Sequence, residues 1–117
     1  MKKSAFVAAA SGQGEEYCAI VSVIIKNLER RGIDVPSRHN GSTDPVKVFL
    51  DQVGDPTKNN HNSFRDIDYQ WVEEADLFVA EVSFRSVGLG GEFEHCRLKP
   101  RLGLPLTPML ALHRPGA

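Results

Sequence analysis

The stretch ADLFVAEVSFRSVGLGGEFEHCRL, residues 75–98, decides the fold. Its segment 77–82, LFVAEV, is an almost unbroken apolar run of strand length. A strand that is apolar on both faces belongs inside a sheet covered from both sides. Ser86, Gly88, Gly90 and Gly91 follow as a glycine-rich turn, and Glu92 to about Leu98 reads as helix. Strand, turn and helix in that order form the repeating unit of an α/β protein.

The chain opens on the same unit. Residues 4–9, SAFVAA, read as a buried strand, and Ser11-Gly12-Gln13-Gly14 reads as a turn. A helix is predicted from about Glu15 to Arg31, with Tyr17, Ile20, Val21, Ile24, Ile25 and Leu28 recurring at three- and four-residue steps. Acids in its first turn, bases in its last and Gly32 beyond suit the helix dipole and a stop. The start MKKSAFVAAASG imitates a secretory leader, but its apolar run is short and alanine-rich, so a first strand is the expectation.

Residues 33–47 are rich in Pro, Ser, Asn, Gly and Asp and read as a loop or insertion, with a short strand at Val46–Leu50. Residues 54–62 read as loop, ending at Ser63, an N-cap with Asp66 as its capping-box partner. The helix that follows, about 64–75, carries Phe64, Ile67, Trp71, Val72 and Ala75 on one face, and Asp68 falls on that face too. Residues 108–112, PMLAL, make a last strand. Alternating strands and helices predict a single domain over residues 1–117, with a mainly parallel sheet between helices. The ligand crevice of such a sheet lies beyond the carboxyl ends of its strands, where the turns at 11–14 and 88–91 emerge.

Composition narrows the function. The 117 residues carry 14 Lys and Arg against 15 Asp and Glu, a formal net charge of -1. That balance asks for neither nucleic acid nor an anionic membrane as partner. No run approaches the roughly 18 apolar residues of a membrane span. Cys18 and Cys96 are far apart and lack metal-type spacing, so they read as free thiols in a reducing, cytoplasmic setting, or a nuclear one if the source is eukaryotic. Cys96 is expected in the core. His39, His61, His95 and His113 show no H-x-x-x-H spacing and read as surface or local hydrogen-bonding residues. Asp51 and Asp55 read as loop residues. No cofactor and no metal are expected.

Two acids stand out. Glu92 at the mouth of a helix would be held ionised by the dipole and nearby N–H groups, which suits a nucleophile; the plain alternative is a glutamate that only favours the dipole. Asp68 on an apolar helix face would be partly desolvated and raised in pKa, which suits a proton donor; the plain alternative is an acid at the stripe's edge. Glu94 points elsewhere and reads as surface. One ionised and one raised carboxyl are what retaining glycosyl transfer needs. Glycines alone signal only a tight turn or an anion, and the spacing matches neither a P-loop nor a full dinucleotide fingerprint.

The segment DIDYQWVEEADLFVAEVSFRSVGLGGEFEH (66–95), MLALHRP (109–115) and VGDP (53–56) together resemble the nucleoside 2-deoxyribosyltransferase superfamily. Asp68-x-x-Trp71, the ADLFVAEVS strand and Ser86-x-Gly88-x-Gly90-x-Glu92 are most similar to its 2'-deoxynucleoside 5'-phosphate N-hydrolase branch. The resemblance implies a flavodoxin-like, Rossmann-like three-layer sandwich that acts on a deoxynucleoside monophosphate, as a homodimer touching through the Asp68 helix. By the same resemblance Glu92 would attack the anomeric carbon, and Asp68 would orient it and protonate the leaving base. Ser86, Gly88 and Gly90, with Ser11 and Gly12, would hold the 5'-phosphate. Ala9-Ala10-Ser11-Gly12 lacks the arginine of that branch's first loop, residues 33–47 look inserted, and the family's C-terminal segment is absent after RPGA. Base exchange between deoxynucleosides and non-catalytic nucleotide binding are the alternative functions.

Overall fold

The computed structural model describes residues 2–54 and 64–116. Along the chain run β1 (Ala5–Ala9), α1 (Glu15–Arg30), α2 (Pro45–Val53), α3 (Phe64–Glu74), β2 (Leu77–Glu81), α4 (Val87–Arg97) and β3 (Met109–Leu112). Short 3-10 turns occupy Arg38–Gly41 and Lys99–Leu102. The strands form one parallel sheet in the order β1-β2-β3, with Ala5 opposite Leu77 and Phe78 opposite Met109.

Pleating divides the apolar strands between two cores. Phe6, Ala8, Phe78 and Ala80 pack with Val72 of α3, Ala75, and Leu89 and Cys96 of α4. Val7, Ala9 and Val79 face the other way, against Tyr17, Val21 and Ile25 of α1 and against Val35. Helices thus cover both faces, which makes the domain an α/β sandwich of the flavodoxin-like kind. No helix among the described residues is long and apolar enough to cross a membrane.

Residues 34–40 do more than loop. Ser4 bridges Asp34 in parallel, the Ala5 N–H donates to the Asp34 carbonyl at 2.8 Å, and the Asp34 N–H donates to that of Lys3 at 2.9 Å. Further along, Ser37 Oγ accepts the Val7 N–H and Asn40 Nδ2 donates to the Val7 carbonyl, each at 2.9 Å. Backbone and side chains together satisfy the outer edge of β1, where another strand would otherwise pair.

Two local predictions are corrected. Val46–Leu50 belongs to helix α2, not to a strand: Asp44 Oδ1 caps it by accepting the Lys47 N–H, and Pro45 takes its first turn, where a missing N–H costs nothing. Asp51 is therefore helical, paired with Lys47 at 3.0 Å across one turn. The predicted Ser63 cap and Asp55 lie outside the described residues.

The second correction is the glycine turn. Helix α4 begins at Val87 rather than Glu92, and Ser86 Oγ accepts the Leu89 N–H at 3.1 Å as its N-cap. Gly88, Gly90 and Gly91 are consequently helical residues. A Cβ on Gly91 would lie 2.8 Å from the Tyr69 hydroxyl, whose ring stacks on His95 at 4.4 Å. Gly91 thus makes room for the tip of the Tyr69 side chain, whereas a Cβ on Gly90 would meet nothing within 4 Å. Two substitutions separate these roles by thermal denaturation. Gly90→Ala stabilises the protein by roughly 0.5–1 kcal/mol through helix propensity. Gly91→Val destabilises it by about 1 kcal/mol as the Tyr69 ring is pushed off its stack on His95.

Candidate active site

A cleft of about 230 Å³ opens where the strands end. Ala9 and Ser11 follow β1 into it, His39 and Asn40 come from the 3-10 turn, and Val46 and Phe49 come from α2. Phe64 and Asp68 of α3 face Ser86, Gly88, Leu89 and Glu92 of the α4 segment. A second cavity of about 260 Å³ is lined by Arg65, Tyr69, Val87 and Gly91. Asp68, Gly88 and Glu92 border both spaces, so the two acids form part of the wall between them.

The amphipathic face of α3 carries Asp68 inward with Ile67 and Val72, leaving its side chain 17% exposed. Burial pushes Asp68 up to about 7, as its place on an apolar face led one to expect. Glu92 is pushed up to about 8, first by burial and then by the negative charge of Asp68. This overturns the expectation of a dipole-held, ionised Glu92. As the sixth residue of α4 it sits past the first turn, where the dipole's influence fades, and desolvation dominates. Two such carboxyls facing one space titrate as a pair and share a single proton near neutrality.

His39 is the residue sequence reasoning missed. Read there as a surface or local hydrogen-bonding residue, its side chain is only 7% exposed, and burial pushes its pKa down to about 4. Its Nε2 lies 3.4 Å from Asp68 Oδ1, but the approach lacks hydrogen-bond geometry: Asp68 Oδ1 and His39 Nδ1 are both buried without a hydrogen-bond partner among the described residues. A neutral imidazole therefore stands against Asp68, and it brings no positive charge to the cleft. Its ring packs edge-on to Phe49 at 4.9 Å, while Phe49 meets Phe64 at 4.7 Å and Trp71 at 5.4 Å. These rings give the cleft an aromatic end. No periodicity in RHNG signals such burial, because α2 and α3 supply the walls.

Of the residues singled out in the sequence, Asp68, Glu92, Ser86, Gly88 and Ser11 meet in the cleft. Gly12, in a left-handed turn at φ 74°, and Gly90 do not line it. Ser86 Oγ accepts a bond as a helix cap and keeps its own proton for a further acceptor. Glu94 is exposed and pairs with Arg97, as expected of a surface acid. Cys96 is buried in the core. Glu81, buried at the end of β2, accepts the Ser83 N–H at 2.7 Å and stands outside both cavities. No group of three or more His, Cys, Asp or Glu side chains among the described residues is placed to hold a metal ion. No model of a known protein family and no curated protein matches the chain.

Proposed function

We propose that the protein is an N-glycosidase that hydrolyses 2'-deoxyribonucleoside 5'-monophosphates to free base and deoxyribose 5-phosphate. The observation that carries this is the convergence of Asp68 and Glu92, from two helices, on one cleft at the carboxyl edge of a parallel sheet. The paired acids supply both roles of retaining glycosyl hydrolysis.

The shared proton rests mainly on Glu92, the more strongly raised of the two acids, and the reactive form is the minor arrangement of the same singly protonated pair, with Glu92 ionised and the proton on Asp68. A Glu92 oxygen attacks the anomeric carbon, the glycosidic C–N bond breaks, and its electron pair leaves with the base, which takes the Asp68 proton. Water then attacks the anomeric carbon, Asp68 accepts a water proton, and the ester to Glu92 breaks to restore its carboxylate. The neutral His39 places no cation against Asp68, so it does not offset the desolvation that raises that acid. The aromatic end at Phe49 and Phe64 offers an apolar seat for a flat base.

A panel of deoxy- and ribonucleoside monophosphates, assayed for free base by chromatography, tests this. Because catalysis needs the pair to carry one proton, kcat/KM is expected to be bell-shaped in pH. It falls below about 7, where both carboxyls are protonated, and falls above about 8, where both are ionised. Nucleotide binding without base release at any pH would reduce the protein to a binding domain. Exchange into an added base without net sugar release would make it a transferase.

A further inference from the structure

The acid pair has a different chamber on each side. One is the cleft with the aromatic rings, whose ionisable side chains among the described residues are Asp68, Glu92 and the neutral His39. A phosphate placed there would face a carboxylate with no cation among the described lining residues to balance it, a costly arrangement in a desolvated space. The other chamber holds Arg65. Arg65 lies three residues before Asp68 on α3, so both side chains reach the same side of that helix. It is exposed and has no carboxylate partner among the described residues. A guanidinium is always charged and matches phosphate oxygens in a two-pronged geometry.

Resting on the N-glycosidase reading, we infer that the second cavity is the phosphate side of the site and that Arg65 is the residue that selects nucleotides over nucleosides. The chemistry of the substrate agrees with two chambers. The bond to be broken joins base to sugar, so base and phosphate lie on opposite sides of the anomeric carbon. Asp68 and Glu92 border both chambers, which sets that carbon between the aromatic end and Arg65. Arg65 thus takes the place of the arginine that the loop after β1 lacks, while Ser11 and Ser86, which border only the aromatic cleft, fall on the base side, and Gly88 borders both chambers.

The test compares base release from a deoxynucleoside 5'-monophosphate and from the same nucleoside without phosphate. Arg65→Gln lowers the ratio of the two kcat/KM values about ten- to hundred-fold, the loss of one charged hydrogen-bonding partner, and acts mainly through KM. Arg65→Lys restores part of the ratio. A ratio unchanged in Arg65→Gln overturns the inference even if base release itself is robust. Should the wild type release no base from any nucleotide, the activity is wrong but the chamber is still testable by calorimetry with deoxyribose 5-phosphate. Binding that Arg65→Gln abolishes supports the assignment; no binding, or binding indifferent to the substitution, overturns it. An unchanged thermal midpoint shows that each variant is folded.

Discussion

Glu92→Gln abolishes base release, with kcat down at least about 10⁴-fold, and at the same time makes the protein more stable at pH 8. The first effect follows from chemistry: an amide cannot form the ester on which the proposed reaction turns, and loss of a covalent nucleophile costs factors of this order. The second follows from desolvation. Glu92 has its pKa pushed from 4.5 to about 8, so the folded protein holds a proton that the unfolded chain has already released. Folded-state stability therefore declines as pH rises from about 4.5 to about 8, and the decline is complete once Glu92 is ionised in both states. Glutamine is neutral throughout and escapes that loss. Allowing for water in an open cleft, the gain at pH 8 is on the order of 1–3 kcal/mol, and it shrinks towards pH 5. Single-turnover base release and urea denaturation at both pH values check the two halves. A loss of activity below about tenfold would move the nucleophile to another residue.

Lys99→Ala has the largest expected effect on the fold, about 3 kcal/mol of destabilisation or more. Lys99 is 1% exposed, and its ammonium donates to the Val72 carbonyl at 3.0 Å, the Ala75 carbonyl at 2.9 Å and Thr107 Oγ1 at 2.6 Å. Two of those acceptors are carbonyls at the end of α3, where the Ala75 N–H also reaches the Val72 carbonyl at 3.3 Å and Thr107 Oγ1 donates to the Ala75 carbonyl at 3.4 Å. All three ammonium protons are used, which is what makes a buried lysine tolerable; burial still lowers its pKa. Truncation to alanine removes the aliphatic stem, leaves a cavity, and takes the strongest donor from two carbonyls and the Thr107 hydroxyl. Lys99→Met refills the stem but removes the charged donor from all three acceptors, so it should cost roughly 2 kcal/mol. Chemical denaturation of both variants measures this. A change under about 1 kcal/mol in Lys99→Ala would show that water replaces the ammonium without penalty.

Much of the fold was legible because its signals are local. The run 77–82, apolar but for the buried Glu81, and SAFVAA have the composition of doubly covered strands, and α1 repeats its apolar residues at helical steps between an acidic start and a basic end. Where two periods compete over a few residues, local reading fails. Val46-Lys47-Val48 alternates like a strand, but the Asp44 cap and Pro45 at the first turn commit the segment to α2. In α4 the three glycines looked like turn residues because each lowers helix propensity, whereas the Ser86 cap and the packing of Gly91 against Tyr69 make them helical.

The site divides in the same way. Sequence alone picked out Asp68 and Glu92, since one carboxylate on an apolar helix stripe and another behind a glycine-rich segment are visible in the order of residues. It also placed the crevice at the strand ends, which follows from a parallel sheet. Only the tertiary structure decided the state of those acids, because desolvation depends on what surrounds a group and not on its neighbours in sequence. Phe49, from nineteen residues upstream of Asp68, and His39, from twenty-nine, bring apolar and neutral surface against it, while Glu92 arrives from the far side of β2. The split into an aromatic chamber and an Arg65 chamber was likewise invisible, since its walls join five segments of chain that meet only when the helices close over the sheet.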